Sequence, residues 1–281
     1  MHNVVSGMTL PEAYHAALIR LNALGEIREC PAYNTREKSI SITVDVAHPL
    51  EEPRMSKFIP CGPYDLERYL LEMRDGILDF EATITHNWAY TYHDRMAEQL
   101  VEVVRTLQKD RNSRRAVVTI RRPEDIYLDD PPCLTLIQYI INNNMLDCYV
   151  TFRSNDAVKA FYMNAFALIH IQEVIANILN CRVGRYIHTA NSFHAYERDW
   201  DQLNEFAQKY HQANRIVYDG NFMTMEYEGA FRELMKEEIP GIMNMVERQM
   251  DKYDILCPGK YCGNLYNVIK RELGTVRKDE N

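Results

Sequence analysis

The sequence predicts one α/β domain spanning residues 1–281. Three observations carry that reading. The stretch SISITVDV at 39–46 alternates and is β-branched, the mark of a half-buried strand. Residues 133–153 hold two apolar runs around the polar cluster Asn142, Asn143 and Asn144, the mark of a hairpin. Between and around these lie segments with helical periodicity, and no repeat, low-complexity tract or linker divides them.

Taken in order, Thr9 to about Ile27 reads as a helix, with Thr9 as N-cap, Glu12 three residues on, and Tyr14, Ala17, Leu18 and Leu21 on one face. Asn34, Thr35 and Arg36 fall in a polar loop ahead of the 39–46 strand. Pro63 to Gly76 is a second helix with Gly76 as its C-cap. The tyrosine-rich HNWAYTYHDR (86–95) leads into a helix from Asp94 to Lys109, with Met96, Leu100, Val103, Val104 and Leu107 inward. A charged turn at 110–115 enters the strand RAVVTI. After the hairpin, Phe161 to Leu179 is apolar on most sides and reads as a buried helix. Arg185 to Tyr196 is a strand that puts His194 and Tyr196 on one face, and Glu197 to Tyr210 is again helical. Two or three more helices are expected between Thr224 and Glu272, then a frayed tail.

Composition narrows the class. A hydrophobic fraction of 46% and a charged fraction of 26% are those of an ordinary globular protein. No apolar run approaches the roughly 20 residues that span a bilayer, and MHNVVSGMTLPEAYHAA lacks the layout of a secretory leader. Seven cysteines without repeating spacing predict reduced thiols and a cytoplasmic protein. Cys257 and Cys262 have no matching His or Cys pair, so no metal site is expected. A net charge of −8 argues against DNA or general nucleic-acid binding, whereas local basic clusters suit a small anionic ligand.

The chemistry-bearing residues gather around the hairpin. Cys133 follows the rigid Asp129-Asp130-Pro131-Pro132, and the returning strand ends in Arg153-Ser154-Asn155-Asp156. The hairpin therefore brings a thiol beside a guanidinium, an arrangement expected to lower the cysteine pKa. Taken alone, Cys133 is equally a small buried residue. Arg153 with Ser154 offers charge and hydroxyl together to a phosphate, and Arg114-Arg115 are either solvated charges or further phosphate ligands. A buried Asn164 offers both donor and acceptor, so it can read a base edge or simply satisfy the core. His194 and Tyr196 could equally be half-buried strand residues.

The ordered set Ser113-Arg114-Arg115, Pro132-Cys133, Gln138, Arg153-Ser154-Asn155-Asp156, Asn164 and His194-Ala195-Tyr196 resembles thymidylate synthase and its pyrimidine-nucleotide hydroxymethylase relatives. The likeness runs from about Tyr90 to Tyr196 and is nearest to the archaeal type, in which segments like YTYHDR, PPCL, FRSND and MNAFAL recur. It implies a large mixed twisted sheet covered by helices and a homodimer formed through the sheet. It also implies a pyrimidine nucleoside monophosphate as substrate and 5,10-methylene-tetrahydrofolate, or a related reduced pterin, as co-substrate.

By the same resemblance, Cys133 adds to C6 of the pyrimidine. Arg153 and Ser154 hold the phosphate, with Arg114 and Arg115 reaching in from the partner subunit and Arg36 as a further ligand. Asp156 contacts the pterin, Asn164 the base edge, and His194 and Tyr196 the sugar 3′-hydroxyl. Gln138 orders the site and Tyr90 assists removal of the C5 proton. Asn164 favours uracil, whose N3–H and O4 an amide complements.

The chain also departs from the family pattern. Leu134 stands where a His commonly follows the cysteine, and Ala160 where a Gly precedes the base-reading Asn. Tyr69 stands near the place of a catalytic Glu, with Glu67 and Glu72 as displaced candidates, and TVRKDEN replaces the usual apolar closing tail. These departures leave two enzymes in view: a thymidylate synthase making dTMP from dUMP, and a hydroxymethylase of dUMP, dCMP or CMP in which water replaces hydride. A non-catalytic nucleotide or RNA binder is the third reading, but a binder has no use for a thiol beside an arginine.

Overall fold

The computed structural model describes residues 2–213, 224–225, 239–244, 247–248 and 261–274. Its centre is an eight-stranded mixed sheet. Six strands run in the order β1 (His2–Gly7), β3 (Thr35–Val46), β9 (Arg182–Tyr196), β7 (Met145–Phe152), β6 (Leu134–Asn142), β5 (Val117–Thr119). β2 (Glu26–Cys30) pairs with β3, and β8 (Asn155–Asp156) pairs with β9. The short β4 (Met55–Ser56) pairs with β10 (Thr224–Met225) outside this sheet.

The described helices include α1 (Leu10–Leu24), α2 (Pro63–Asp75), the short α3 (Phe80–Thr83), α4 (Tyr92–Lys109), α5 (Phe161–Ile178), α6 (Trp200–Ala213) and α7 (Leu265–Gly274), and residues 239–244 are helical as well. Most of their apolar residues and the inward sheet residues Ile42, Val44, Val118, Ile137, Val150 and Phe193 form the main core, beside a small second cluster of Leu71, Ile77, Leu78, Phe80 and Ile242.

The hairpin β6–β7 sets the position of the site. Asn142 faces Met145, so the turn is only Asn143-Asn144. Both residues have positive φ, 49° and 59°. That geometry matches the twist of the flanking strands and is tolerated by asparagine better than by other residues with a side chain beyond glycine. At the open end Leu134 pairs with Phe152, and the Arg153 N–H donates to the Cys133 carbonyl at 2.8 Å. From β7 the chain crosses through α5 to the parallel β9. On the way β8 pairs Asp156 with His194.

Several expectations shift at their edges. α1 stops at Leu24 because Gly25, whose N–H caps Leu21 O at 2.8 Å, leads straight into the unforeseen β2. Arg36 lies not in a loop but in β3, which begins at Thr35 because β2 supplies a pairing partner for its polar first half. α4 starts at Tyr92, capped by Thr91, two residues before the expected Asp94. Glu197–Asp199 is a 3₁₀ turn ahead of α6. β1 carried no clear alternation and was not expected as a strand. The frayed tail, and most of the region where further helices were expected before α7, lie outside the described residues.

The loop ahead of Cys133 is fastened by one buried ion pair. Nη1 and Nη2 of Arg95 each donate to Asp125 at 2.8 Å, and Nη1 also donates to Ile120 O at 3.1 Å. The hydrogen bonds from Arg95 hold the Asp125 carboxyl below its usual range. Removing one partner leaves a buried charge, so Asp125→Ala should cost about 3–5 kcal/mol in urea unfolding at pH 7. With a lowered folded pKa, the pair's contribution is present above the unfolded carboxylate pKa and lost as pH falls through the folded one. The gap between parent and variant should therefore narrow in acid.

Candidate active site

Cys133 sits half-buried one residue before β6, and Arg153 one residue after β7. The Arg153 guanidinium turns back across the hairpin mouth. Nε donates to Pro132 O at 3.1 Å and Nη2 to Pro131 O at 2.6 Å, while Asp130 lies 3.4 Å from Nη2. The thiol pKa is nevertheless raised rather than lowered. Burial is the largest cause, Arg153 opposes it, and Asp130 adds to it. The expected depression of the thiol pKa is thus corrected: Arg153 acts in that direction, but desolvation exceeds it.

Two tyrosines of the YTYHDR segment close around the thiol. The Tyr92 hydroxyl accepts the Leu134 N–H at 3.3 Å, and burial, with Cys133 adding, pushes Tyr92 to about 12. Tyr90 lies with its ring 5.9 Å from that of Tyr92 and under the Arg95 guanidinium at 5.1 Å. Sequence reasoning named Tyr90 and passed over Tyr92, which the structure sets against the backbone beside Cys133. The Y-x-Y spacing at the start of a helix was the available signal.

These tyrosines wall a cavity of about 510 Å³, shared with Tyr69, Glu72, Trp88, Leu128, Asp129 and Asp130. Of the two glutamates considered on α2, it is Glu72 that lines this cavity, whereas Glu67 is buried and is not among the lining residues. Burial pushes Glu72 up to about 7, with Arg68 opposing and Asp79 adding. One turn back, the Tyr69 hydroxyl donates to Asn164 Oδ1 at 2.5 Å, joining α2 to the first turn of α5. Asn164 itself is buried.

A second cluster stands at the same end of the sheet. The His194 and Tyr196 rings meet at 4.9 Å, confirming their common face. His194 Nδ1 contacts Ser192 O at 3.3 Å, and Nε2 is buried without a hydrogen-bond partner among the described residues. With Nδ1–H donating, Nε2 of the neutral ring is an acceptor. Asp156 beside them turns one oxygen to the Val158 and Lys159 N–H groups, both at 2.9 Å. Tyr33, which no sequence signal singled out, bridges the clusters. Its ring lies 5.6 Å from Tyr196, and its hydroxyl is raised by Asp130 first, then by burial and Cys133, with Arg153 opposing. Arg36 reaches this region too, but is held by Glu197, with Nε 3.1 Å from Oε2, and lies 5.4 Å over Trp200. Ser154 follows Arg153 on the way into β8 and is half-buried.

Arg114, Arg115 and Gln138 are not brought to this place. Gln138 lies five residues along the chain from Cys133, roughly 16 Å at about 3.3 Å per residue. Its amide donates to Arg114 O at 3.0 Å. Arg114 and Arg115 are exposed and line a separate cavity of about 540 Å³ with Lys109 and Ser113.

Behind the tyrosine wall, Asp79, His93 and Cys262 converge, an arrangement unforeseen from Cys262 alone. Asp79 Oδ2 takes His93 Nδ1 at 2.6 Å and Cys262 Sγ at 3.5 Å, and Oδ1 takes the Thr91 hydroxyl at 2.5 Å, while His93 Nε2 is buried without a hydrogen-bond partner among the described residues. Cys257 lies outside the described residues.

Comparison with known proteins decides the family. The family model "Thymidylate synthase" matches residues 73–226, more than half the chain. The chain belongs to the thymidylate synthase family. It is similar to a "Putative thymidylate synthase" of Methanocaldococcus jannaschii, 30% identical over 208 residues, covering 70% of this chain and 93% of that protein. It is also 26% identical over 207 residues to a protein of the same description from Methanosarcina barkeri, covering 71% and 92%. Membership in the thymidylate synthase family makes the chain a one-carbon transferase acting on a nucleotide. Among the described residues no helix is long and apolar enough to cross a membrane.

The thiol environment carries a prediction. Because Asp130 helps to raise the Cys133 pKa, Asp130→Asn should lower the midpoint of the pH profile for alkylation by iodoacetamide. An unchanged midpoint would remove Asp130 from the account.

Proposed function

We propose that this chain is a thymidylate synthase that methylates dUMP to dTMP with 5,10-methylene-tetrahydrofolate. The observation that carries the reading is the hairpin mouth: a half-buried thiol beside Arg153, whose neighbours Tyr92 and Asp130 wall a cavity tied through Tyr69 to the buried Asn164. The aromatic and acidic lining suits a flat pterin with an amino edge. The orphaned Nε2 of His194 beside Tyr196 suits a sugar hydroxyl that donates to it.

In this mechanism Arg153 and Ser154 hold the phosphate, so the guanidinium exchanges its bonds to Pro131 O and Asp130 for phosphate oxygens. Cys133, as thiolate, forms a bond to C6 of uracil, and the C5=C6 electrons move toward O4, where the Asn164 amide donates. The folate supplies the methylene that C5 attacks and, later, the hydride that completes the methyl group. Glu72, with Tyr90 and Tyr92, takes the C5 proton, which allows the cofactor nitrogen to leave. Loss of Cys133 from C6 restores the double bond and releases the thiol. Asp156 orients the pterin, Gln138 orders the sheet near the phosphate arginines, and Arg36 lends positive charge at the rim. Arg114 and Arg115 serve the partner's site in a sheet-mediated homodimer, a reading supported by their distance from their own Cys133. The six described cysteines form no disulfide with one another, which fits a cytoplasmic enzyme.

A nucleotide hydroxymethylase using the same first steps is the second reading. It is favoured by the carboxylates of Glu72, Asp129 and Asp130 on the cavity wall, groups that accept hydrogen bonds from water.

Mass analysis of the product decides between them, with dUMP, dCMP, UMP and CMP each offered with methylene-tetrahydrofolate. Methylated dUMP with dihydrofolate establishes the synthase. A hydroxymethyl product with tetrahydrofolate establishes the alternative, and no product from any of the four overturns both. Cys133→Ser should lower turnover by more than about 10³-fold while nucleotide affinity is largely kept. Retained turnover would rule out the thiol mechanism.

Glu72 gives a pH test. With its carboxyl at about 7, the turnover profile should inflect there, and Glu72→Gln should abolish that limb. The raised pKa also means the parent's stability is fully present below the unfolded carboxylate value and falls as pH rises through about 7. The glutamine variant should therefore gain in Tm relative to the parent at pH 8 and not at pH 4. An unmoved profile and equal Tm differences at both pH values would remove Glu72 from the site.

A further inference from the structure

We propose that Tyr69 is the specificity-setting residue of this site: its hydroxyl locks the Asn164 side chain in the orientation that accepts uracil and disfavours cytosine. The inference rests on the reading of Asn164 as the base reader, and the test below separates the two.

The argument starts from what an amide can offer. Asn164 carries Oδ1 as acceptor and Nδ2 as a double donor, and a 180° turn about the last side-chain bond exchanges them. In one orientation the amide matches N3–H and O4 of uracil. In the other it matches the N3 acceptor and amino donor of cytosine. A bare amide can therefore read either base, and discrimination requires something that fixes the rotor.

Tyr69 supplies it. Its hydroxyl is 2.5 Å from Asn164 Oδ1, and its pKa is raised well above the ordinary phenol range, by burial first and then by Tyr92, Glu72, Cys133 and Tyr90. The proton therefore stays on the oxygen, and the hydroxyl remains a donor across the working pH range. Oδ1 has two lone pairs, so it accepts Tyr69 and still has one for N3–H of uracil, while Nδ2 is left for O4. Turning the amide for cytosine would set Nδ2–H against the hydroxyl. Tyr69 would then have to rotate and accept, leaving its own hydrogen without the partner it has now. Tyr69 is half-buried on the cavity wall, so turning the amide costs the bond to the buried Asn164.

Tyr69 stands at a fixed place to do this. It lies on α2, whose Pro63 start and Gly76 end set the helix register, and α2 packs on α5, where Asn164 occupies the first turn. Neither residue sits on a loop that could carry the hydroxyl away. The same contact explains why a tyrosine is accepted where the family resemblance led one to expect a glutamate. The acid has moved to Glu72, three residues on and on the same helical face, and the vacated position orients the base reader instead.

The experiment is equilibrium binding of dUMP and dCMP to the full-length protein carrying Cys133→Ser, with and without Tyr69→Phe. The parent should prefer dUMP, and Tyr69→Phe should shrink the Kd ratio by about 10-fold, chiefly through tighter dCMP binding. Loss of packing alone would weaken both nucleotides together and leave the ratio where it was. That result, in a variant with parental Tm, would overturn the lock. Replacing Tyr69 by 3-fluorotyrosine, a stronger donor of nearly the same size, gives a variant that keeps the packing. It should widen the ratio, and a ratio unchanged or narrowed would overturn the proposal. Asn164→Asp separates the levels. If it abolishes the dUMP preference while Tyr69→Phe does not, the base reader stands and the lock fails. If the parent binds neither nucleotide, or Asn164→Asp leaves the ratio intact, the lock falls together with the reading beneath it.

Discussion

The site depends on the register of one hairpin. With Asn142 opposite Met145, a two-residue turn in the left-handed region leaves no freedom to slide, and every pair down the ladder follows. The far end of that ladder is where Arg153 N–H meets Cys133 O. A slip of one residue would invert the faces of β6 and β7, move Ile137 and Val150 out of the core, and part the thiol from the guanidinium. Core packing and site assembly are therefore one constraint, enforced mainly by apolar burial and only finally expressed as chemistry.

That constraint brings the charges together without making the thiol reactive. Burial raises the Cys133 pKa, and the Arg153 guanidinium is engaged by two carbonyls and Asp130. A dianionic phosphate would compete for those donors better than neutral carbonyls do, since charge-assisted bonds are the stronger ones. On the proposed reading the nucleotide completes its own site: the phosphate draws the guanidinium off the loop, and the base covers the thiol. The free protein then keeps Cys133 protonated, which protects it from adventitious oxidation and alkylation.

The hairpin, the buried α5 and the caps of α1 and α2 were legible because local pattern and tertiary burial agree there. Thr9 caps α1 as its spacing from Glu12 implied, and Gly76 ends α2 with φ 71°. β1 and β2 were not legible, since His2–Gly7 and Glu26–Cys30 lie at or near the sheet edge with little alternation, and pairing to β3 alone makes them strands. In the site, Cys133, Arg153, Asn164, His194 and Tyr196 could be named because each belongs to a short local motif. Tyr33 could not, because what distinguishes it is a neighbour about 100 residues away, and Tyr92, though its Y-x-Y spacing is visible, is marked out from Tyr90 only by its contact with Leu134 some 40 residues on. The direction of the thiol pKa is hidden from sequence for a related reason. Sequence shows which charges can approach a group, but not how much water is removed from around it.

The departures on α2 are better understood as a linked exchange than as losses. Tyr69 and Glu72 are three residues apart and both line the cavity, so a helix can move an acid from one position to the other while keeping it in reach of the same substrate. Moving it one turn places the carboxyl nearer Asp79 and burial holds it at about 7, suited to trading protons at neutral pH. A glutamate left at position 69 would instead set a carboxylate against the amide oxygen of Asn164, two acceptors facing each other, and would drive the amide to turn. The tyrosine avoids that conflict by donating, and its phenol stays protonated where a carboxyl would titrate. On the proposed reading, base choice and proton transfer, which one acidic side chain would have had to share, fall to two residues on a single helical face.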